Sequence, residues 1–361
     1  MFTSSSLKRA MQRAVWKPKR RSVRHAAGLC LVLAMASGCA SNSATDGSRS
    51  EVSGNRSPVV GGEGITIGVF TGSTFSIPYP IAVGEGFFAL NGLNAKIVKF
   101  TTGPALISGV ISHSVDLSAL SPLVLTSTQL QGQSSLRATG PSMKSSTLLV
   151  ASTASVGIEA KTLAYPETVR LLKGKRVGVP ALGAAGQVLV DSLLVGAGMM
   201  PGDVTYLAVG GESSALAALK AGRIDAYTTS ASGVATFEQN GVDVAVLAGG
   251  EKGGSPDFNG VRTDVSATTT DFTGSGAKFE RYCNAMKSTI AWIADPKNKE
   301  AGAKYIAAET GLDATAALGV WNAESPLWTL QIGETAWTNT TKIVPKAQSS
   351  LPYSSSVVDC P

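Results

Sequence analysis

The sequence predicts an α/β protein built from two similar halves. Strand-like apolar runs alternate with helical patterns along most of the chain, an alternation typical of α/β domains. The pairs Val115-Asp116 and Ile224-Asp225 lie 109 residues apart, and Ile67–Val69 and Val177–Val179 lie 110 apart. A hydrophobic content of 43%, a charged content of 16% and 40 glycines fit a globular, turn-rich chain. We therefore expect two lobes that share one strand–helix–strand–helix–strand plan.

The elements follow each other in the same order in both halves. In the first half the patterns predict the strand Ile65–Phe70, the helix Pro80–Gly92, the strand Ala95–Phe100, the helix Gly103–Ile111 and the strand Val115–Leu120. In the second half they predict the strand Arg176–Pro180, the helix Ala181–Gly198, the strand Val204–Val209, the helix from Glu212 to Lys220 and a strand that ends in Thr228, Thr229 and Ser230.

The N-terminus has the order of an export signal. Residues 1–39 contain eight Lys and Arg and no Asp or Glu, and they end in the apolar stretch Ala26–Cys39. Ala36-Ser37-Gly38-Cys39 resembles the lipobox of bacterial lipoproteins, in which the cysteine thiol receives the lipid. A cleaved secretory signal with an incidental cysteine is the alternative. Residues 40–62, rich in Ser, Gly and Asn, are expected to form a flexible tether.

The net charge of +6 comes from this leader. Of the 31 Lys and Arg, 23 lie beyond residue 39, against 25 Asp and Glu. The body of the protein is therefore slightly acidic, and nucleic acid is not an expected partner.

Two cysteines remain for the mature body, Cys283 and Cys360. In an exported protein two thiols most simply form one disulfide, which would attach the C-terminal tail to the helix that contains Cys283. A reactive or metal-binding pair is the alternative, but no ligand-type residues with metal-site spacing accompany it. The sequence predicts no metal and no cofactor.

Polar residues follow the predicted parallel strands. Ligands bind beyond the carboxyl ends of such strands, where helix N-termini also offer free N–H groups. The segments at these ends are Phe70–Ser73, Ser118–Ser121, Pro180–Gly183 and Thr228–Ser230. Their hydroxyls, together with helix N-termini and few formal charges, predict a cleft for a small polar or anionic molecule. Asp116 and Asp225 begin their strands at the opposite end and are interpreted as turn or capping residues.

Three stretches resemble one known family: "GFFALNGLNAKIVKFTTGPALISGV", "ALAALKAGRIDA" and "WIADPKNKEAGAKYIAAETGLD". They are similar to the nitrate/sulfonate/taurine class of ABC-transporter substrate-binding proteins, also called NMT1-like, across most of residues 64–320. The resemblance implies a type II periplasmic-binding-protein fold, with two α/β lobes and a hinged cleft. It also implies a small-molecule ligand that is delivered to an ABC permease.

The resemblance implies ligand-binding positions as well. They are Thr71, Gly72, Ser73, Thr74 and Phe75 after the first strand, Thr101, Thr102 and Gly103 in the next turn, Ser118 and Ser121 at the third strand, and Gly183, Ala184 and Ala185 at a helix start. Thr228, Thr229 and Ser230 complete the predicted site. Many relatives have Trp-Glu-Pro where this chain has Ser230-Ala231-Ser232, so a wall aromatic and a carboxylate are missing there.

Two other functions stay open. An enzyme of the same family would need a cysteine or several histidines in the cleft, whereas His113, the one histidine beyond the leader, lies in a turn before Asp116. We therefore predict no catalytic residue. A receptor that reports ligand binding to a sensor partner has the same sequence features as a transport protein.

The predicted organisation is a lipoprotein signal peptide at 1–39, a linker at 40–62, the first part of lobe 1 at 63–145, lobe 2 at 146–258, and a return to lobe 1 with C-terminal helices at 259–361. We expect a monomer outside the cytoplasm that contacts the membrane through an N-terminal lipid on Cys39. The glycine-rich segment Gly249–Gly260 is interpreted as a crossover between lobes, and Trp321, Trp328 and Trp337 as helical core residues.

Overall fold

The structure is a computed structural model that describes residues 62–249, 253–254, 260–344 and 351–361. The predicted signal peptide, Cys39, nearly all of the predicted linker and part of the glycine-rich crossover lie outside these residues. No helix in the described ranges combines the length and the hydropathy that crossing a bilayer requires.

The described residues form eleven strands in two sheets. The strands are β1 (Glu63–Phe70), β2 (Leu93–Phe100), β3 (Leu117–Leu120), β4 (Leu136–Lys144), β5 (Leu148–Ser152), β6 (Arg176–Val179), β7 (Thr205–Ala208), β8 (Ala226–Thr229), β9 (Val244–Ala248), β10 (Arg262–Thr269) and β11 (Trp328–Thr329). The first sheet has the order β11-β4-β10-β3-β1-β2, and the second has the order β7-β6-β8-β5-β9.

Helices connect and cover the strands. The α-helices are α1 (Pro78–Gly84), α2 (Phe87–Leu90), α3 (Gly103–Ile111), α4 (Pro122–Leu130), α5 (Thr153–Val156), α6 (Glu167–Arg170), α7 (Ala185–Gly196), α8 (Glu212–Lys220), α9 (Ala231–Gln239), α10 (Thr270–Thr273), α11 (Ala277–Ala294), α12 (Lys299–Thr310), α13 (Ala314–Glu324), α14 (Glu334–Thr341) and α15 (Tyr353–Ser356). Short 3-10 turns span Thr74–Ser76, Ile158–Lys161, Pro201–Asp203, Pro296–Asn298 and Ser325–Leu327.

The two sheets repeat one arrangement, as the sequence spacing predicts. β1 pairs in parallel with β2 and β3, and β6 pairs in parallel with β7 and β8. An antiparallel strand follows on the same side in each sheet, β10 beside β3 and β5 beside β8. We call the six-stranded sheet with α1–α4 and α10–α15 lobe 1, and the five-stranded sheet with α5–α9 lobe 2. The chain passes between the sheets at residues 145–147 and again between β9 and β10.

Asp116 and Asp225 occupy matching places in this repeat. Asp116 Oδ2 accepts from the Thr66 N–H at 2.7 Å, and Asp225 Oδ2 accepts from the Arg176 N–H at 2.8 Å. Burial raises the pKa of Asp225, but bonds from Arg176 and Ser155 outweigh it, so the pKa lies below its ordinary value. Both carboxylates bind the backbone of a neighbouring strand, β1 at Thr66 and β6 at its first residue, which agrees with the structural role that the sequence predicts.

Two predicted helices differ from those observed. The predicted helix Pro80–Gly92 is replaced by two helices, α1, which already begins at Pro78, and α2, because Gly86 adopts a left-handed conformation with φ of 76°. The helix predicted from Ala181 begins at Ala185, after a loop in which Gly183 has φ of 74°. In both places glycine permits a backbone conformation that breaks helical continuity. A hydrophobic pattern does not reveal such a break when the surrounding residues are all small or apolar.

The C-terminal segment of the chain is fastened to the core of lobe 1. Cys283 on α11 and Cys360 form the predicted disulfide, with Cα atoms 5.2 Å apart, and both residues are buried. The Val358 N–H also donates to the Ala138 carbonyl of β4 at 2.9 Å. The three tryptophans Trp321, Trp328 and Trp337 are buried in lobe 1 as predicted, although Trp328 lies in the short strand β11 rather than a helix.

Candidate functional site

The candidate site lies where the carboxyl ends of the parallel strands of both sheets meet the starts of helices. In lobe 1 the hydroxyls of Ser73, Thr102 and Ser121 cap the following helical turns. Each accepts a hydrogen bond at 3.3 Å, from the backbone N–H of Phe75, Ala105 and Leu123, respectively. These three predicted residues therefore stabilise the loops that border the cleft.

The helices of lobe 2 begin differently. α7, α8 and α9 follow Ala184, Gly211 and Ser230, and none of these residues caps a backbone N–H of its own helix with a side-chain hydrogen bond. The first N–H groups of a helix have no partner within the helix and carry a partial positive charge. The lobe 2 edge therefore presents three helix starts whose backbone N–H groups have no side-chain cap from the preceding residue.

The two lobes touch through hydroxyl groups at this edge. Thr74 Oγ1 of lobe 1 donates to Ser232 Oγ at 3.3 Å, and the hydroxyls of Ser230 and Ser232 share a hydrogen bond of 2.9 Å. All three residues are buried. The predicted residues Thr74 and Ser230 thus come together across the lobes, and Ser232, which was not predicted, joins them.

A buried carboxylate follows β7 next to these hydroxyls. Glu212 begins α8, and its Oε1 accepts from Thr229 Oγ1 at 2.8 Å. Burial, the largest effect, and the charge of Glu324 together raise the pKa of Glu212 to about 7, although the hydrogen bond from Thr229 lowers it in part. Part of the Glu212 residue meets solvent, but its carboxylate is enclosed by protein atoms.

A second carboxylate enters the same place from lobe 1. Glu324 is the last residue of α13 and is only 3% exposed. Burial raises the pKa of Glu324. The Thr74 and Ser230 hydroxyls and the backbone of Ser232 and Ala231 lower that pKa in part, but burial is the larger effect. Neither carboxylate oxygen makes a hydrogen bond of normal geometry with any described residue. Both oxygens of a buried acid are therefore left without a firm partner.

We call Thr74, Glu212, Thr229, Ser230, Ser232 and Glu324 the interlobe cluster. Small residues make room for it. A Cβ added to Gly233 would lie 1.7 Å from Thr229 Oγ1 and 2.8 Å from Glu212 Oε1, and one added to Gly186 would lie 2.5 Å from Thr228 Oγ1. Glycine at both positions therefore lets α7 and α9 approach the end of β8.

The other predicted residues lie in several settings. Ser118 is fully buried inside the first sheet, beside Gly68 and Ala267, so its side chain is closed to solvent in this conformation. Phe75 packs on the core around Ile77, and Thr228 is buried against α7. The remaining predicted residues lie in the cleft loops and are exposed or half-buried: Thr71, Gly72, Thr101, Gly103, Gly183, Ala184 and Ala185.

A cavity of about 460 Å³ lies between α9 and α13. Its lining is mostly apolar, with Val234, Ala235, Ala316 and Val320 among its residues, and it contains no member of the interlobe cluster. We assign the candidate site to the interlobe cluster instead, because polar groups from three helices and both lobes converge there.

Three members of the interlobe cluster, Glu212, Ser232 and Glu324, were not predicted from the sequence. Glu212 lies shortly after the carboxyl end of β7, just as Thr228–Ser230 lie at the end of β8. The rule that ligands bind at the carboxyl ends of parallel strands was therefore sufficient to find it. Ser232 lies two residues beyond Ser230 and is brought back by the first turn of α9. Glu324 has no local signal, since only the packing of α13 against α9 brings it to the cleft.

Residues 73–299 match the model of a protein family described as NMT1/THI5 like. A comparison with curated protein sequences finds no match. The matched segment contains every member of the interlobe cluster except Glu324, and it covers more than half of the chain.

Solved structures share the fold. The alkanesulfonate-binding protein SsuA from Xanthomonas axonopodis pv. citri, bound to MOPS, has a TM-score of 0.65 and 17% identity, covering 82% of this chain and 98% of its own. A protein from Bordetella bronchiseptica RB50 has a TM-score of 0.65 and 21% identity over 82% and 94%. The periplasmic nitrate-binding protein NrtA from Synechocystis PCC 6803 has a TM-score of 0.61 and 12% identity over 78% and 80%.

At these identities the structural likeness establishes the architecture alone. It is the type II periplasmic-binding-protein fold that the sequence predicts, with two sheets between which the chain crosses twice. Because the family model matches more than half of the chain, the chain belongs to the NMT1/THI5-like family.

Proposed function

We propose that this protein is an extracytoplasmic solute-binding protein that captures a small polar molecule between its lobes and delivers it to an ABC permease. The observation that carries the proposal is the interlobe cluster, where hydroxyls of both lobes meet at the carboxyl edges of the two parallel sheets. A molecule bound there contacts both lobes only when they are closed, so binding favours closure. Family membership and fold support the same function.

Binding rather than catalysis fits the reactive residues of the described chain. Both described cysteines are joined in the disulfide and are buried in the core of lobe 1. His113 is exposed in a turn with φ of 56°, next to the amino end of β3. The two cysteines and His113 therefore do not supply the nucleophile or the general base that an enzyme of this family would require.

The proposal predicts that the Thr229 hydroxyl contributes to solute retention. Thr229→Val keeps the shape of the side chain but removes the hydroxyl. We expect it to weaken binding of the co-purifying solute by about 1 kcal/mol if its partner is rehydrated, and by up to about 3 kcal/mol if the partner stays buried. The solute is first identified by native mass spectrometry of the mature protein, and its affinity is then measured by calorimetry.

Thr128→Val is the matched control, because Thr128 lies near the far end of α4 and its hydroxyl donates to the Val124 carbonyl of its own helix at 2.8 Å. It should leave affinity unchanged. Bulky replacements at Ser121 and Gly183 test the remainder of the predicted cleft. Unchanged affinity in these variants and in Thr229→Val would place the binding site elsewhere.

We also propose that the mature protein is anchored by a lipid on Cys39 outside the cytoplasm. Cys39→Ala should abolish labelling by radioactive fatty acid and release the protein from the membrane fraction. Cys30→Ala is the control, because Cys30 lies within the segment expected to be removed and its loss should leave labelling intact. Full labelling of the Cys39→Ala protein would contradict lipidation at this residue.

A further inference from the structure

The edges that face each other across the cleft have an acidic character. The segments that follow the six parallel strands, 71–77, 101–105, 121–125, 180–187, 209–213 and 230–234, contain one ionisable side chain, Glu212. The only other ionisable member of the interlobe cluster is Glu324, which lobe 1 contributes. Among the described residues, no ion pair involves either glutamate. Two carboxylates therefore meet between the lobes, and no described Lys or Arg forms an ion pair with either of them.

Further acidity lies at the lobe 1 edge of the same cleft. Asp264 is near the beginning of β10, beside the end of β3, and is 3% exposed. Burial raises its pKa well above the ordinary value, and the Leu120 backbone lowers it in part. Its neighbour on the strand, Arg262, donates to the Ile332 carbonyl at 2.7 Å rather than to this carboxylate. A third buried acid therefore lies near the cleft, and it has no ion-pair partner in the part of the chain that the structure describes.

An anionic solute fits this arrangement poorly. The starts of α8 and α9 are the positive ends that would attract it, but Glu212 lies in the first turn of α8, and Glu324 faces the Ala231 and Ser232 backbone at the start of α9. An anion would have to approach two carboxylates that already repel each other. Like charges at short distance in a partly dehydrated site oppose binding strongly.

A metal ion fits poorly as well. No group of three or more His, Cys, Asp or Glu side chains in the described ranges is arranged to hold one. Besides the two carboxylates, the interlobe cluster offers a metal only hydroxyl oxygens, and these hydroxyls already form hydrogen bonds with each other or with Glu212. A ligand that itself donates several N–H bonds satisfies both Glu324 oxygens and the free lone pairs of Glu212 and the hydroxyls.

We propose that the interlobe cluster binds a small organic cation with N–H donors, an ammonium, amidinium or guanidinium group, through Glu324 and Glu212. This inference rests on the proposed function, because it names the class of solute that the cleft captures. Glu324 comes from lobe 1 and Glu212 from lobe 2, so one cationic group between them holds the two lobes together. The Thr74, Ser230 and Ser232 hydroxyls accept the N–H groups that the carboxylates do not reach.

The test uses calorimetry on the mature protein with probes of similar size and opposite charge. The cations are butylammonium and propylguanidinium, and the anions are propanesulfonate and butyrate. We expect the cations to bind and the anions to give no heat. Glu324→Gln and Glu212→Gln should each weaken cation binding by roughly tenfold to a hundredfold, since each removes a charged hydrogen bond. Glu309→Gln, at an exposed pair with Lys99, is the matched control and should bind as the parent does.

A proton readout separates a direct role from a structural one. At pH 7 cation binding should release protons, seen as a dependence of the heat on the ionisation enthalpy of the buffer, and Glu212→Gln should reduce that release. Circular dichroism confirms that each variant is folded.

Anion binding with silent cations would overturn the inference and leave the solute-binding function standing. Equal cation affinity in the parent and both glutamine variants would also overturn it. No binding of either class, together with no co-purified solute, would overturn the proposed function as well.

Discussion

Breaking the Cys283–Cys360 disulfide is expected to lower the free energy of unfolding by about 4 kcal/mol. The crosslink joins residues 77 apart in sequence, and a closed loop of this length removes much conformational freedom from the unfolded chain. In the folded state it attaches the C-terminal segment to α11, beside the contact of that segment with β4. Without the crosslink, the last residues are retained by that contact, by the hydrogen bonds that Asp359 accepts from the Ile332 N–H and the Tyr353 hydroxyl, and by local packing.

A double-mutant cycle distinguishes the crosslink from the packing of its sulfur atoms. Cys283→Ala, Cys360→Ala and the double variant should be destabilised by nearly the same amount, because each removes the same bond. Reducing agent should lower the melting temperature of the parent protein and leave the double variant unaffected. Additive costs of the two single variants would show that the bond contributes little and that each side chain acts through its own contacts.

The ligand-free protein is expected to lose roughly 2–3 kcal/mol of folding free energy between pH 5 and pH 8 because of Glu212. The pKa of this carboxyl rises from 4.5 to about 7 on folding, so the folded state retains a proton that the unfolded state releases. The group adds no penalty below pH 4.5. The penalty develops as pH rises and is complete above pH 7. The raised pKa values of Glu324 and Asp264 act in the same direction.

Urea unfolding at several pH values measures this dependence. Glu212→Gln keeps the acceptor for Thr229 but cannot ionise, so its stability should change less over the same range. Glu309→Gln should retain the dependence of the parent. Because Glu212 and Glu324 are coupled, the midpoint of the change belongs to the pair rather than to one residue. A parent protein whose stability is constant or rises from pH 5 to pH 8 would contradict the buried state of these acids.

Much of the architecture was accessible from the sequence because it depends on local periodicity. Short apolar runs predicted β1, β2, β3, β6, β7 and β8, and their spacing predicted that the two sheets repeat one order. The structural roles of Asp116 and Asp225 followed from their position before a strand. The disulfide could be predicted because two cysteines leave a single intramolecular pairing.

Helix boundaries were less accessible, since they depend on single backbone conformations. Gly86 and Gly183 interrupt patterns that otherwise read as continuous helices. The difference matters at Gly183, because the loop it creates delays the start of α7 and leaves Pro180–Ala184 as a separate segment at the cleft edge.

The sequence by itself determined the class of fold, its internal repeat, the disulfide and the strand ends that border the cleft. Tertiary structure alone decided the chemistry of that cleft. Glu324 is more than 90 residues from Ser230 in sequence, and its contact with the start of α9 arises because α13 packs on α9 across the lobes. The local hydrophobic pattern of a helix or strand reflects how it packs within its own lobe. A buried charge between the lobes depends on two elements that are distant in sequence, and no local pattern relates them.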